Sequence, residues 1–171
     1  MQSFGKVMLA GLALGTFVVG GITLAAQSST ASLTVSVNVA KNCTIVASPV
    51  NFGAYDPVST NATAPLDGTG TLTVTCTKGA SAIVGLDAGS NAQGTTRRTV
   101  NSTTASAFLT YELYKDSGRA TVWGNDATSG LTVGAAPNRN PRNFTVYGRV
   151  ASGQDASVGA YSDVVVATVN F

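Results

Sequence analysis

A chain of 171 residues with 11% charged side chains and no histidine suits one ordinary domain and is poor in the groups that acid–base catalysis uses near neutral pH. Its formal charge of +2 is too small to mark nucleic acid or an anionic membrane as a partner. Two cysteines without a histidine cannot complete the ligand set of a zinc site, so neither a metal nor another cofactor is expected.

Met1 to Ala26 has the pattern of a secretory signal. Lys6 is the positive start, Val7 to Leu24 is almost wholly apolar, and Thr23-Leu24-Ala25-Ala26 places small residues before the polar Gln27-Ser28-Ser29-Thr30. The apolar run is long for a signal, which leaves an uncleaved membrane anchor as the alternative. The rest of the chain is expected to work outside the cytoplasm. Without Lys6 it carries nine basic residues against eight acidic ones.

Beyond the leader, apolar residues recur with a period of two, not 3.6. In Ser32 to Val39, the residues Leu33, Val35, Val37 and Val39 share one face, and Ser32, Thr34, Ser36 and Asn38 the other. Cys43 to Val46 is a short run, interrupted by Pro49 and Asn51-Phe52-Gly53. Asp56 to Gly70 reads as loop, rich in Thr, Asn, Ala, Pro and Gly. Thr71 to Thr77 alternates again, with Leu72, Val74 and Cys76 on one face, and Ala82 to Leu86 is a strand closed by Asp87-Ala88-Gly89. Ser90 to Ser106 is polar, and its Arg97-Arg98 pair reads as a solvated loop in preference to an anion site.

Phe108 to Tyr114 is a strand with Leu109, Tyr111 and Leu113 on one face, followed by the turn signal Lys115-Asp116-Ser117-Gly118. Trp123, in a short apolar piece, is assigned to the core over an adhesive surface. Residues 125–142 look loose, Asn143 to Val150 is a strand, and Ala151 to Ser162 is a Gly-rich connection. Asp163 to Phe171 is the final strand, with Val165, Ala167, Val169 and Phe171 on one face and no residue left to extend the sheet. About seven short strands separated by turns predict an all-β sandwich.

Cys43 and Cys76 are an even pair in an exported region, which favours a disulfide over two buried free thiols. The first alternating run admits two readings. It is an ordinary edge strand of its own domain, or it leaves that domain and fills a groove in a neighbouring copy, an open head-to-tail contact of the kind that builds filaments.

The order and spacing of several segments resemble the spore coat protein U domain family, which includes the pilins of archaic (Csu-type) chaperone–usher pili. They are Val39-Ala40-Lys41-Asn42-Cys43, Asn51-Phe52-Gly53 with Tyr55, Leu72 to Cys76, Leu86-Asp87-Ala88-Gly89, Tyr111 to Asp116, Arg119 with Val122-Trp123-Gly124, Val146 to Val150 leading to Gly153-Gln154, and Gly159 to Asp163. The resemblance implies an immunoglobulin-like sandwich without its last strand, which a periplasmic chaperone fills first. An outer-membrane usher then exchanges that strand for the N-terminal segment of the next subunit.

Carried over by position, residues 1–26 are the signal peptide, 27–41 the donor segment and 42–171 the domain. Leu33, Val35, Val37 and Val39 are the donor side chains, and Cys43 and Cys76 the family's disulfide. Val165, Val169 and Phe171 line one side of the acceptor groove, with Ile45 opposite, and Ala167 stands where a larger aliphatic residue is expected. The implied product is a surface pilus subunit serving adhesion and biofilm formation, partnered by copies of itself or related pilins, with no nucleic acid and no small-molecule substrate. A secreted coat or matrix protein that forms no pili is the alternative. A carbohydrate-binding adhesin is a third reading, for which the chain has no room for a separate binding domain. An enzyme is not expected: the acids are scattered, and no Gly-x-Ser-x-Gly elbow occurs.

Overall fold

The computed structural model describes Gly21 and residues 24–171. The signal expected over residues 1–26 therefore lies outside the described residues, apart from Gly21 and residues 24–26. The chain divides into two units, Met1–Val37 and Asn38–Phe171. Where the first is described, it has neither helix nor strand and its side chains are exposed. The strand expected over Ser32–Val39 does not form. A strand needs a ladder partner for its N–H and C=O groups, and no ladder among the described residues includes this segment.

The second unit holds β1 (Cys43–Asn51), a single helical turn α1 (Thr60–Thr63), β2 (Leu66–Cys76), β3 (Ala82–Leu86), β4 (Arg97–Asn101), β5 (Phe108–Tyr114), β6 (Leu131–Val133), β7 (Arg142–Val150), β8 (Tyr161–Ser162) and β9 (Ala167–Asn170). Six strands make one antiparallel sheet in the order β1-β2-β7-β5-β4-β8, and three make a second in the order β6-β3-β9. The alternation seen in the sequence now has a cause. Leu72, Val74 and Cys76 of β2, Leu113 of β5 and Val146 and Val150 of β7 point inward against Val84 and Leu86 of β3 and Val133 of β6. Trp123 is fully buried among them and donates its indole N–H to the Val84 carbonyl at 2.8 Å.

Several expectations are corrected. β1 continues through Pro49, because a proline costs little on an edge strand and the ladder steps past it in a bulge between Ser48 and Asn51. β2 starts at Leu66, inside the stretch read as loop, since Gly68 and Gly70 leave room where Phe52 and Val50 pack down on it. Leu131–Val133 is a strand in the stretch read as loose. The final strand is shorter than expected, β9 being preceded by a segment that bonds residues 87–90 through Asp87 N–H to Val166 O and Ser90 N–H to Val164 O.

Arg97 is the largest correction. It sits in β4, buried, and donates to the carbonyls of Leu86, Asp87 and Trp123 while pairing with Glu112. Arg98, on the opposite face, lies over the Phe108 ring at 4.1 Å. Neither residue belongs to a solvated loop.

Candidate functional site

Every strand needs a partner on each side or a reason to go without, because an unpaired row of N–H and C=O groups is a template for another chain. Among the described residues, β1 bonds only to β2, and β9 only to β3. These two free edges belong to different sheets and stand side by side, with Cα atoms of one within 8 Å of the other, yet they share no ladder. Among the described residues, no strand covers either edge along this flank.

Half-buried apolar side chains line the opening. Ile45 on β1 and Val169 on β9 pack against the core, as do Ala167 on β9 and Val165 just before it. The alternation is regular: Val165, Ala167 and Val169 face inward, while Val164, Val166, Thr168 and Asn170 are exposed. Phe171, directly after β9, is 52% exposed. Such a row is too dry for a solvated face and too open for a finished core. Ala167 presents the least side chain of the row.

Val50 and Phe52, which the sequence reading assigned no role, also pack against the core where β1 ends, and the Phe52 ring centroid stands 6.2 Å from that of Tyr111. Their signal was an apolar pair spaced by one residue after Pro49.

The N-terminal segment is the opposite case. Leu33, Val35, Val37 and Val39 are 88%, 86%, 91% and 74% exposed. Four aliphatic side chains in water, at a spacing that puts them on one face of an extended strand, are unfavourable by about 1.5–3 kcal/mol each relative to burial. Lys41-Asn42 joins this run to β1.

Cys43 and Cys76 form a disulfide that links the first residue of β1 to the last of β2, directly opposite in register. One further rung lies outside it: Thr77 donates its backbone N–H to the Asn42 carbonyl at 2.9 Å, and Asn42 N–H donates to Thr77 Oγ1 at 3.2 Å.

The groups with perturbed acidity serve the scaffold. Burial, and then the hydrogen bond Tyr111 makes to Asp163 at 2.7 Å, push the Tyr111 hydroxyl well above its ordinary value. The Arg149 guanidinium, donating to both carboxyl oxygens of Asp67, holds that acid below the usual carboxylate range, and Arg119 adds to the effect. Hydrogen bonds from Thr128 and Ser129 hold Asp126 low, and those from Ala120 and Thr121 hold Asp116 low. Each acid ties a turn or a strand pair, and none stands beside a nucleophile in a cleft.

The model of the Spore Coat Protein U domain matches residues 29–168. A Myxococcus xanthus protein named Protein U is 38% identical over 159 residues, a match covering 85% of this chain and 87% of that protein. Among solved structures, a chain of the chaperone–tip adhesion subunit pre-assembly complex of the archaic chaperone–usher Csu pili of Acinetobacter baumannii superposes with a TM-score of 0.57 at 23% identity, over 78% of this chain. This chain spans 40% of that one, and the likeness is one of fold, an antiparallel sandwich of the immunoglobulin-like kind.

Proposed function

The chain belongs to the spore coat protein U domain family, whose members build structures and catalyse no reaction, and from that premise we propose that it is a pilus subunit polymerised by strand donation. Residues 1–26 direct export, residues 27–41 are the donor segment, and residues 42–171 form the acceptor domain. Leu33, Val35, Val37 and Val39 of one subunit enter the opening between β1 and β9 of the next, against Ile45, Val165, Val169 and Phe171. The observation that carries this reading is the pairing of two deficits in one chain: an open flank lined by half-buried apolar residues, and a segment whose four alternating aliphatics stand in water.

The physics of the exchange is β-augmentation. The donor backbone bonds the free edge of β9, and alternate side chains fill the row along it. Bonding both edges at once takes two ladder spacings, about 9.6 Å, so the donor pushes β1 away from β9 as it seats. Before assembly the same opening needs a temporary strand, supplied by a periplasmic chaperone and exchanged at an outer-membrane usher. The fibre reaches the cell surface, where it serves adhesion and biofilm formation.

Replacing Val37 with Asp tests the donor assignment. A carboxylate cannot enter an apolar pocket unpaired, so exported protein should persist while fibre yield falls at least about tenfold, the consequence of losing about 1.4 kcal/mol or more per joint. Unchanged fibre yield would refute it. The extended match to Protein U of Myxococcus xanthus favours a second reading, a coat protein of the same fold. Electron microscopy of the shed material separates the two, thin fibres supporting the first and an amorphous layer the second.

A further inference from the structure

We propose that the Cys43–Cys76 disulfide is a tension clamp, which passes the pull on an assembled fibre past the weak edge strand and into the interior of the sheet. This rests on the donor-strand reading, since only then does tension reach the domain through Lys41-Asn42. β1 is the element that receives this pull, and it is poorly placed to resist it. It is an edge strand with one ladder partner, loaded at its first residue, so its rungs would break in sequence from that end. It also carries Ile45 and so forms one wall of the acceptor opening. Peeling β1 would strip that wall from the neighbour's donor and leave it held by β9 alone.

The disulfide sits where this failure would start. Cys43 is the first residue of β1, Cys76 is its register partner, and the bond is therefore the first full rung of the ladder, made covalent. On the far side is β2, eleven residues long and bonded to β1 on one edge and β7 on the other. Among the described residues, only the rung at Thr77 lies on the loaded side of the bond: its N–H and Oγ1 bond Asn42, and its Oγ1 also donates to the Ala40 carbonyl at 3.3 Å. Tension thus breaks that rung and then arrives at the end of β2, which is held on both sides from Val74 inward, while β1 and the opening stay intact.

Pulling single fibres at controlled extension tests this, with fibres of the unaltered chain compared before and after reduction by a phosphine. Thiol labelling and mass mapping report the state of Cys43 and Cys76, and the Cys43→Ala/Cys76→Ala variant is a second route to the same state. Reduced fibres should yield at half the force or less. Their first step should free about 3 nm of chain per subunit, the nine residues of β1 detached from β2 at roughly 3.3–3.6 Å each. Oxidised fibres should lack that step, and their full unfolding length should be shorter by about 11 nm per subunit, because 33 residues of separation are locked behind the bond.

Fibres of Arg97→Met, weakened in β4, should yield in the same order of steps as the unaltered ones. An early step in these oxidised fibres too would make the disulfide one stabiliser among others and overturn the clamp, as would equal yield force before and after reduction. If fibres form and neither change appears, the clamp alone falls. If the unaltered chain forms no fibre, the donor reading falls and takes the clamp with it.

Discussion

Arg97 is the one charged residue that the fold buries among the described residues, and its partners explain how a guanidinium survives there. Its Nη2 reaches Leu86 O, Asp87 O and Trp123 O at 2.7–2.8 Å, its Nε reaches Asp87 O at 2.9 Å, and its Nη1 pairs with Glu112. The planar fork bonds carbonyls at the end of β3 from β4, so one side chain bolts the two sheets together. Arg97→Met would keep the apolar stem and strand those carbonyls. Buried polar networks that lose one member cost about 3–5 kcal/mol, and urea unfolding should show a loss of that size. Arg98→Met, which removes a half-buried guanidinium from over the Phe108 ring together with its hydrogen bonds to the Asn91 carbonyl and Gln93 Oε1, should cost less, about 1–2 kcal/mol. The same residue type at adjacent positions differs this much because a strand sends neighbours to opposite faces.

Among the elements, the bulged end of β1 depends most on its surroundings. Val50 and Phe52 settle onto Gly68, Gly70 and Gly148, and a Cβ at Gly70 would stand 2.7 Å from Val50 Cγ2 and 2.9 Å from the Ser48 carbonyl oxygen. Two of the three nearest atoms are backbone, which cannot swing aside. Gly70→Ala should therefore destabilise by about 1–3 kcal/mol, measured by urea unfolding, and far more than Gly134→Ala, where nothing lies within 4 Å of the added Cβ. Three stretches were legible in the sequence: Ala82 to Leu86 as an apolar run closed by Asp87-Ala88-Gly89, Phe108 to Tyr114 by its period of two, and the inward face of Leu72, Val74 and Cys76 by the same period. What could not be read was set by distant partners. β4 is polar because its Arg97 satisfies another sheet's carbonyls, β6 is three residues long, and β2 carries Asp67-Gly68 just after its first residue, a pair that reads as a turn until Arg149 and Phe52 are placed beside it. The rows of the opening were legible as alternation. Their partial burial was not, since it depends on which neighbouring strand is missing.

At the scale of the whole molecule, the domain is a sandwich with an unfilled flank. Its stability should therefore rise when a strand is supplied in the right register. A variant in which the donor sequence 31–40 is moved from its native place to follow Phe171, joined by a short Gly/Ser turn, would return antiparallel to β9 within the same chain. Burying four aliphatic side chains contributes roughly 6–12 kcal/mol in gross terms, an upper bound because the flexible segment is partly collapsed beforehand and loses freedom on docking. A net gain of even about 3 kcal/mol shifts the unfolding midpoint by about 10 °C in a domain of this size. The relocated variant should thus be monomeric by sedimentation and unfold about 10 °C or more above the domain lacking residues 27–41. Val37→Asp in the relocated copy should abolish most of that gain, which separates groove filling from any effect of a longer tail. An unchanged midpoint would mean that the edge of β9 accepts no strand of this sequence, and assembly would then have to run through some other surface.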